Sequence, residues 1–540
     1  MRRRSLPVLY WRYNVLISRR PGLLEEYARH LLEGFYPIIA ANRAPVEVQK
    51  RGTDYVASRG AGGLVTALST LATSTDAVWV GCARTDADRE LARKHPRSPV
   101  VIKGDDGRDY RIAFVSPDEE AYDLYYNRIS NPLLWFVQHY LWNLSHYPII
   151  DRETDRAWTD GYVKVNRMFA DRIVQAAKRA PVGHGGLEEG QVPLVLIQDY
   201  QLYLVSRMVR ERIPGAVLQQ FIHIPWPTPQ YWKVLPSKMR DPIVEGLLGN
   251  DVIGFQTPRD CRNFLLTCEE NMNLSVDYRE QTVFRGGRTI WVRPYPVSID
   301  VASFTELAQT REVLAEQRHI RRWRPRHLIV RVDRSDPSKN LLRGFAAYDR
   351  LLQLHPQLVG EVQFWAYLQP SRQDVPFYRK YLDDVRLVAR ELNQRYGTDR
   401  WKPVRLELRE DINRAVAAYK EFDVLLVNSI YDGMNLVAKE GMMVNERDGV
   451  LILSENTGSY GELGQWAFTV NPFDVDATAD ALYQALTMDP RQRKARITRI
   501  RAVVRQNDVA RWISTQLQDI RDLTEAGRKR TRRVLPHLVS

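Results

Sequence analysis

Two cations stand five positions apart in Arg331-Val-Asp-Arg334-Ser-Asp-Pro-Ser-Lys339-Asn, directly after an apolar run. In a strand-to-helix loop they can grip a diphosphate, the arginine through its planar fork and the lysine as a point charge. A surface cluster balanced by Asp333 and Asp336 fits the same spacing. A second segment, Ser429-Ile-Tyr-Asp432-Gly433-Met434-Asn435-Leu436-Val437-Ala-Lys-Glu440, follows another apolar run. Asp432-Gly433 is expected to open a helix, so that the backbone N–H groups of Met434, Asn435, Leu436 and Val437 face an anion. Asp432 can accept hydrogen bonds from sugar hydroxyls. Glu440, about two turns on and on the same side, can accept from both hydroxyls of a ribose. An Asp N-cap with a solvated Glu accounts for Asp432 but leaves Gly-Met-Asn unexplained.

Asp199 ends the run 192–198 and His223 falls at the end of the run 217–224. Two polar residues at neighbouring strand ends favour function over a lone structural histidine. Arg59-Gly-Ala-Gly62-Gly63-Leu-Val65 precedes an apolar helical stretch. Glycines there let the backbone approach a phosphate, although a tight turn explains them as well. Val65 stands where a dinucleotide fingerprint needs its third glycine.

These residues require strands that end at a common edge. Apolar strands are expected at 36–41, 77–82, 192–198, 217–224 and 251–255, then at 327–332, 361–367, 404–408, 423–427 and 449–454. Amphipathic helices are expected at 341–354, 375–396 and 477–488. The alternation reads as α/β with parallel sheets, whose ligands bind at the carboxyl ends of strands. Residues 292–303, with two prolines, end the first unit. Residues 49–62 and the glycine-rich 181–191 read as loop insertions.

Of the 540 residues, 44% are hydrophobic and 26% charged, a globular composition too long for one core. No apolar run is long enough to span a bilayer, and the early arginines interrupt any signal peptide. Three cysteines, Cys82, Cys261 and Cys268, argue for a reducing, cytoplasmic setting and offer no zinc spacing. The net charge of +13 suits phosphate-bearing ligands. Basic clusters at Arg2–Arg4 and 528–533 read as solvated tails rather than a nucleic-acid surface. No membrane partner is expected, and a homo-oligomer is compatible with the chain.

Together these segments resemble the trehalose-6-phosphate synthase family of glycosyltransferases. Gly161-Tyr-Val-Lys-Val-Asn166, Asp251-Val-Ile-Gly-Phe-Gln-Thr257, Asn131-Pro-Leu-Leu-Trp135, Ser371-Arg372-Gln-Asp374 and Val470-Asn-Pro-Phe473 follow in the family's order, from about residue 36 to 517. The resemblance implies two Rossmann-like domains facing a cleft, the GT-B type. It implies an extension at 1–35, an acceptor domain at 36–299 and a nucleotide-sugar donor domain at 300–507. A C-terminal helix at about 508–525 would return to the first domain, before a basic tail at 526–540. The partners implied are a nucleoside-diphosphate sugar and a sugar phosphate, with no cofactor and no metal. Carried over by position, Arg43, Tyr126, Trp135 and Arg372 match the grip on the acceptor phosphate. Asp199 matches an acceptor-hydroxyl contact, and His223 the histidine beside the transferred sugar. Gly62 and Gly63 match the loop that closes on the donor. Arg334 and Lys339 match the diphosphate clamp, Asp432 the glucosyl contact and Glu440 the ribose contact. The implied reaction is retaining transfer from UDP-glucose to glucose 6-phosphate, giving trehalose 6-phosphate.

The chain departs from the family at Gln198-Asp199-Tyr200-Gln201, where two histidines are usual, at Gly81-Cys82-Ala-Arg84 and at Asn456-Thr-Gly-Ser459. Trp226, Tyr231-Trp232, Asp336-Pro-Ser-Lys339-Asn340 and Asn445-Glu-Arg-Asp448 look like validoxylamine-7-phosphate synthase, a pseudo-glycosyltransferase that couples a cyclitol to an amino-cyclitol phosphate. Gly62-Gly63-Leu64 and Ser371-Arg372 keep the trehalose-type pattern. Glucosylglycerol-phosphate synthesis and a non-catalytic sugar-phosphate-binding role are the further alternatives.

Overall fold

The computed structural model describes residues 28–52, 54–59, 68, 71–73, 75, 77–179 and 191–534. The chain divides into two compact units. The first comprises residues up to Leu134, Leu144–Tyr295 and the chain from Val509; the second comprises Trp135–Asn143 and Pro296–Asp508.

In the first unit the strands are β1 (Phe35–Arg43), β2 (Val46–Arg51), β3 (Asp54–Arg59), β4 (Val78–Cys82), β5 (Val100–Lys103), β6 (Asp109–Val115), β7 (Val192–Gln198), β8 (Val217–Phe221), β9 (Val252–Phe255), β10 (Ser275–Asp277), β11 (Thr282–Arg285) and β12 (Arg288–Pro294). Ten form one sheet in the order β10-β11-β12-β9-β8-β7-β1-β4-β6-β5. Its centre is parallel: β1 pairs with both β7 and β4, and β8 joins β7 to β9. These strands read as unbroken apolar runs because both faces are covered; Ile38, Ile39, Ala40, Val78, Val80, Val195 and Ile197 are inaccessible. The edges are antiparallel, with β5 on β6 at one side and β10-β11-β12 at the other. The helix from Val509 packs within this unit. Tyr295 Oη donates to Asp519 at 2.7 Å, Gln219 Nε2 donates to Gln516 at 2.8 Å, and Trp512 meets Phe221 edge-on.

The second unit contains β13 (His327–Arg334), β14 (Val362–Gln369), β15 (Val404–Glu407), β16 (Val424–Val427), β17 (Val450–Ser454) and β18 (Phe468–Val470). They form a parallel sheet in the order β15-β14-β13-β16-β17-β18. Alternate residues enter two cores. Leu328, Val330, Trp365, Leu425, Val427, Leu451 and Leu453 face one; Ile329, Phe364, Ala366, Val424, Leu426, Val450 and Ile452 face the other. The period of two thus buries both faces under helices. Each strand therefore ends at the same edge of the sheet, where its following loop is displayed.

Several expectations change. Residues 46–51 and 54–59, which overlap the stretch read as a loop insertion at 49–62, pair as the antiparallel strands β2 and β3. Val46 and Val48 reach the core with Ala57, while Val56, paired with Gln49 on the other face, is exposed. The final helix runs Val509–Val534, so the basic cluster at 528–533 continues a helix rather than a tail. Residues 135–143, expected inside the first domain, group with the second unit. The N-terminal basic cluster and residues 181–190 of the glycine-rich insertion lie outside the described residues, and all three cysteines are buried and unpaired.

Candidate active site

In the second unit the loops after β13, β14 and β16 bring most of the expected residues together. β13 ends at Arg334 and passes through a 3-10 turn, Pro337–Lys339, before the helix Leu341–Leu354. Asn340 closes that turn with φ 59°, a left-handed conformation that Asn tolerates. Its amide donates to the carbonyls of Asn428 and Pro472, at 2.9 and 2.7 Å, tying the turn to the loops after β16 and β18. Beneath it, the inaccessible Arg331 donates to Asp333 and, at 2.7 Å, to the carbonyl of Lys339.

Lys339 forms an ion pair with Asp432. Asn435 Nδ2 donates to the same carboxylate at 3.0 Å, and Ser429 Oγ at 3.3 Å. Burial pushes the Asp432 carboxyl up, but Lys339 outweighs it and the group stays below its ordinary value. Asp432 is therefore an ionised acceptor, suited to a hydroxyl donor.

The helix after this segment is Val437–Val444, so Asp432-Gly433 does not open it. Asp432 instead makes a parallel bridge with Thr457, and Asn435, at φ 71°, caps the helix by accepting from the N–H of Ala438 at 3.3 Å. A carboxylate held by Lys339 is unavailable for capping. Gly433 and Met434 run against 456–459 instead. A Cβ on Gly458 would lie 1.8 Å from the carbonyl oxygen of Gly433, so the crossing requires glycine. Leu436 is the half-helical residue preceding Val437. Glu440 sits in the first turn and accepts from Tyr419 Oη at 3.2 Å. Burial pushes its carboxyl up to about 7, and the Tyr419 bond only partly opposes this.

Trp135 and Arg372 also meet in this unit. The Arg372 guanidinium lies 4.0 Å from the centre of the Trp135 ring, and that of Arg334 lies 5.3 Å from it. Asp336 joins them: it accepts from Trp135 Nε1 at 3.3 Å and from Arg372 Nη1 at 3.0 Å. The amide and hydroxyl of Ser338 donate to it as well, at 2.9 and 2.8 Å. Burial alone would raise this carboxyl; Arg372, Arg334 and His139 hold it down at about 2. His139 stacks on Trp135, and burial lowers its pKa to about 4, so it is neutral.

In the first unit Arg43 ends β1 and is exposed, while its carbonyl accepts from Trp79 Nε1 at 3.0 Å. Tyr126 stacks on Tyr122. Asp199, after β7, has φ 71° and ψ 177°, which a side chain adopts only under strain. Its N–H donates to the carbonyl of Phe221 at 2.7 Å, and its carboxylate accepts from the N–H of His223 at 3.1 Å. The imidazole Nε2 of His223 lies 3.1 Å from Gln198 Oε1. Burial lowers the His223 pKa to about 3, so it acts as a neutral hydrogen-bonding group. Gly62 and Gly63 lie outside the described residues.

Sequence reading missed the bridging role of Asp336, although Asp-Pro-Ser is a turn signature. It missed His139, whose only signal is its spacing of four from Trp135, and Tyr378, which accepts from Arg372 Nη1 at 2.5 Å. No group of three or more His, Cys, Asp or Glu among the described residues could hold a metal ion, and no described helix is long and apolar enough to cross a membrane.

Residues 36–522 match the profile of glycosyltransferase family 20. The chain is 34% identical over 505 residues to the trehalose-6-phosphate synthase of Mycolicibacterium smegmatis, covering 91% of this chain and 93% of that one. It is 31% identical over 445 residues to the validamine 7-phosphate valienyltransferase of Streptomyces hygroscopicus subsp. jinggangensis, covering 82% and 85%. Among solved structures it resembles a UDP-forming α,α-trehalose-phosphate synthase from Burkholderia vietnamiensis, with TM-score 0.75, 29% identity and coverage of 91% and 99%. A structure described as trehalose-6-phosphate from E. coli bound with UDP-2-fluoro glucose matches with TM-score 0.75 and 26% identity over 90% of this chain and 99% of that one. The chain belongs to glycosyltransferase family 20, the trehalose-phosphate synthase family of hexosyltransferases with the GT-B fold.

Proposed function

We propose that this glycosyltransferase moves glucose from UDP-glucose to glucose 6-phosphate with retention, giving trehalose 6-phosphate. The observation that carries the reading is the Lys339–Asp432 ion pair beside Arg334 at the carboxyl ends of β13 and β16. In this reading the second unit binds the donor. Arg334 and Lys339 take the diphosphate, Asp432 a glucosyl hydroxyl and Glu440 the ribose. The first unit binds the acceptor sugar through Asp199. Arg43, Tyr126, Trp135 and Arg372 are assigned to the acceptor phosphate, and Gly62 and Gly63 to the donor loop.

The acceptor's anomeric oxygen bonds to the glucosyl carbon as that carbon's bond to the diphosphate breaks. The departing diphosphate oxygen takes the acceptor's proton on the same face. No protein nucleophile is needed. Arg334 and Lys339 stabilise charge growing on the leaving group, and neutral His223 orients the transferred sugar without adding a competing charge. The ionised Asp432 accepts from a hydroxyl as the ring gains positive character.

The likeness to the validamine 7-phosphate valienyltransferase supports a second reading, coupling of a nucleotide-activated cyclitol to an amino-cyclitol phosphate. Nucleoside-diphosphate release from UDP-, GDP- and ADP-glucose, with and without glucose 6-phosphate, separates the two. Acceptor-dependent release with trehalose 6-phosphate as product is expected. No release with any of these pairs overturns the first reading. Release only with an amino-cyclitol phosphate acceptor and an activated cyclitol establishes the second, and release with glycerol 3-phosphate points to glucosylglycerol phosphate.

A further inference from the structure

Asp336 lies at the start of the turn whose end is Lys339. Its side chain is inaccessible, and its two carboxylate oxygens divide their partners. Oδ1 accepts from Trp135 Nε1 and from the amide and hydroxyl of Ser338, while Oδ2 accepts from Arg372 Nη1. Arg372 is itself only 8% exposed and holds a left-handed backbone, φ 50°. Its guanidinium lies 4.0 Å from the centre of the Trp135 ring and donates through Nη1 to both Asp336 and Tyr378 Oη. A guanidinium and an indole N–H that both point at one buried carboxylate cannot reorient independently. Three residues on, Lys339 is committed to Asp432. One short turn, closed by a left-handed Asn340 and anchored through its amide, therefore carries both attachments.

Building on the function proposed above, we infer that Asp336 is a positioning residue that couples the two substrates. It holds Arg372 and Trp135 for the acceptor phosphate from the same turn that presents Lys339 to the donor diphosphate. When the diphosphate engages Lys339, the turn is set, and Asp336 transmits that setting to Arg372. Each substrate then raises the affinity for the other by the same factor, because coupling free energy is reciprocal. Asp336 touches neither substrate in this scheme.

The test is calorimetric binding of glucose 6-phosphate to the full chain, with and without saturating UDP, joined to steady-state kinetics. For the unaltered protein, UDP is expected to tighten glucose 6-phosphate binding about fivefold or more. Asp336→Asn keeps the shape but removes the charge. It should raise the acceptor KM about tenfold with kcat and donor KM changed far less, and it should bring the UDP effect close to unity. In an Arg372→Gln background the same substitution should add little, since Asp336 acts through Arg372. Should Asp336→Asn fail to fold, Ser338→Ala, which removes one donor to the carboxylate, should move acceptor KM and the UDP effect in the same direction. Binding of both ligands without mutual enhancement overturns the coupling while leaving the proposed function standing. Equal rises in both KM values, or full additivity with Arg372→Gln, would mark Asp336 as merely structural. Binding of neither ligand by the unaltered protein defeats the proposed function and this inference with it.

Discussion

Arg334 lies beside Trp135 and Lys339 against Asp432, and the function proposed above assigns both to the charge on a departing diphosphate. Replacing either with alanine is expected to lower kcat by about 10²–10³-fold, the usual cost of losing one preorganised electrostatic contact. Steady-state release of nucleoside diphosphate checks this, with an unchanged melting temperature excluding unfolding. Glu440 gives a pH prediction. Its carboxyl is raised from 4.5 to about 7 by burial, so the folded state holds its proton more tightly than the unfolded chain does. The stability it contributes is full below about pH 4.5 and is lost as pH rises through 7. A ribose, by contrast, is accepted best by the ionised group, so the donor KM should fall over the same rise. Glu440→Gln should flatten both profiles; a donor KM profile identical to that of the unaltered protein would remove Glu440 from the donor site.

At the scale of the element, the segment 429–436 matters more than the helix it precedes. The expected helix start at Asp432 would have spent that carboxylate on a backbone cap. The observed start at Val437 leaves the capping to Asn435 and frees Asp432 for Lys339. The crossing of this segment over 456–459 depends on Gly458. Gly458→Ala would force its Cβ into the Gly433 carbonyl at 1.8 Å, and is expected to cost about 1–3 kcal/mol together with weaker binding of the nucleotide sugar. Thermal unfolding and nucleotide-sugar titration measure the two effects. An alanine variant with both values intact would show that the loops part easily.

For the whole molecule, two of the four places where the chain passes between units, at Pro296 and Asp508, share one anchor in the second unit. The inaccessible Lys439 donates to the carbonyl of Val297 at 3.0 Å and pairs with Glu462 at 2.6 Å. Glu462 also accepts from Asn507 Nδ2 at 2.8 Å. Val297 and Asn507 lie within two residues of the boundaries at Pro296 and Asp508. Lys439→Met leaves Glu462 buried without its cation and should cost about 3–5 kcal/mol, with Glu462→Gln in the same chain restoring part of the loss. Denaturant unfolding of the single and double variants is the check, and a single variant as stable as the parent would deny the ion pair any structural weight.

The central parallel strands were legible from the residues alone, because burial on both faces demands continuous apolar runs. β7 spans the expected 192–198, and the helix after β13 spans the expected 341–354. The residues after those strands were legible too, since a parallel sheet displays them at one edge. Tertiary structure decided the rest. The hairpin β2–β3 and the edge strands β10–β12 are half-exposed and polar, so their pairing depends on neighbours rather than on a local pattern. Residues 135–143 join the second unit through contacts some two hundred positions away, which no local periodicity encodes. Asp336 entered the sequence reading as a charge that, with Asp333, could balance Arg334 and Lys339 in a surface cluster. Only the packing of Trp135 and Arg372 around it made a buried carboxylate the favourable solution, because in a water-poor setting each needed the other as partner.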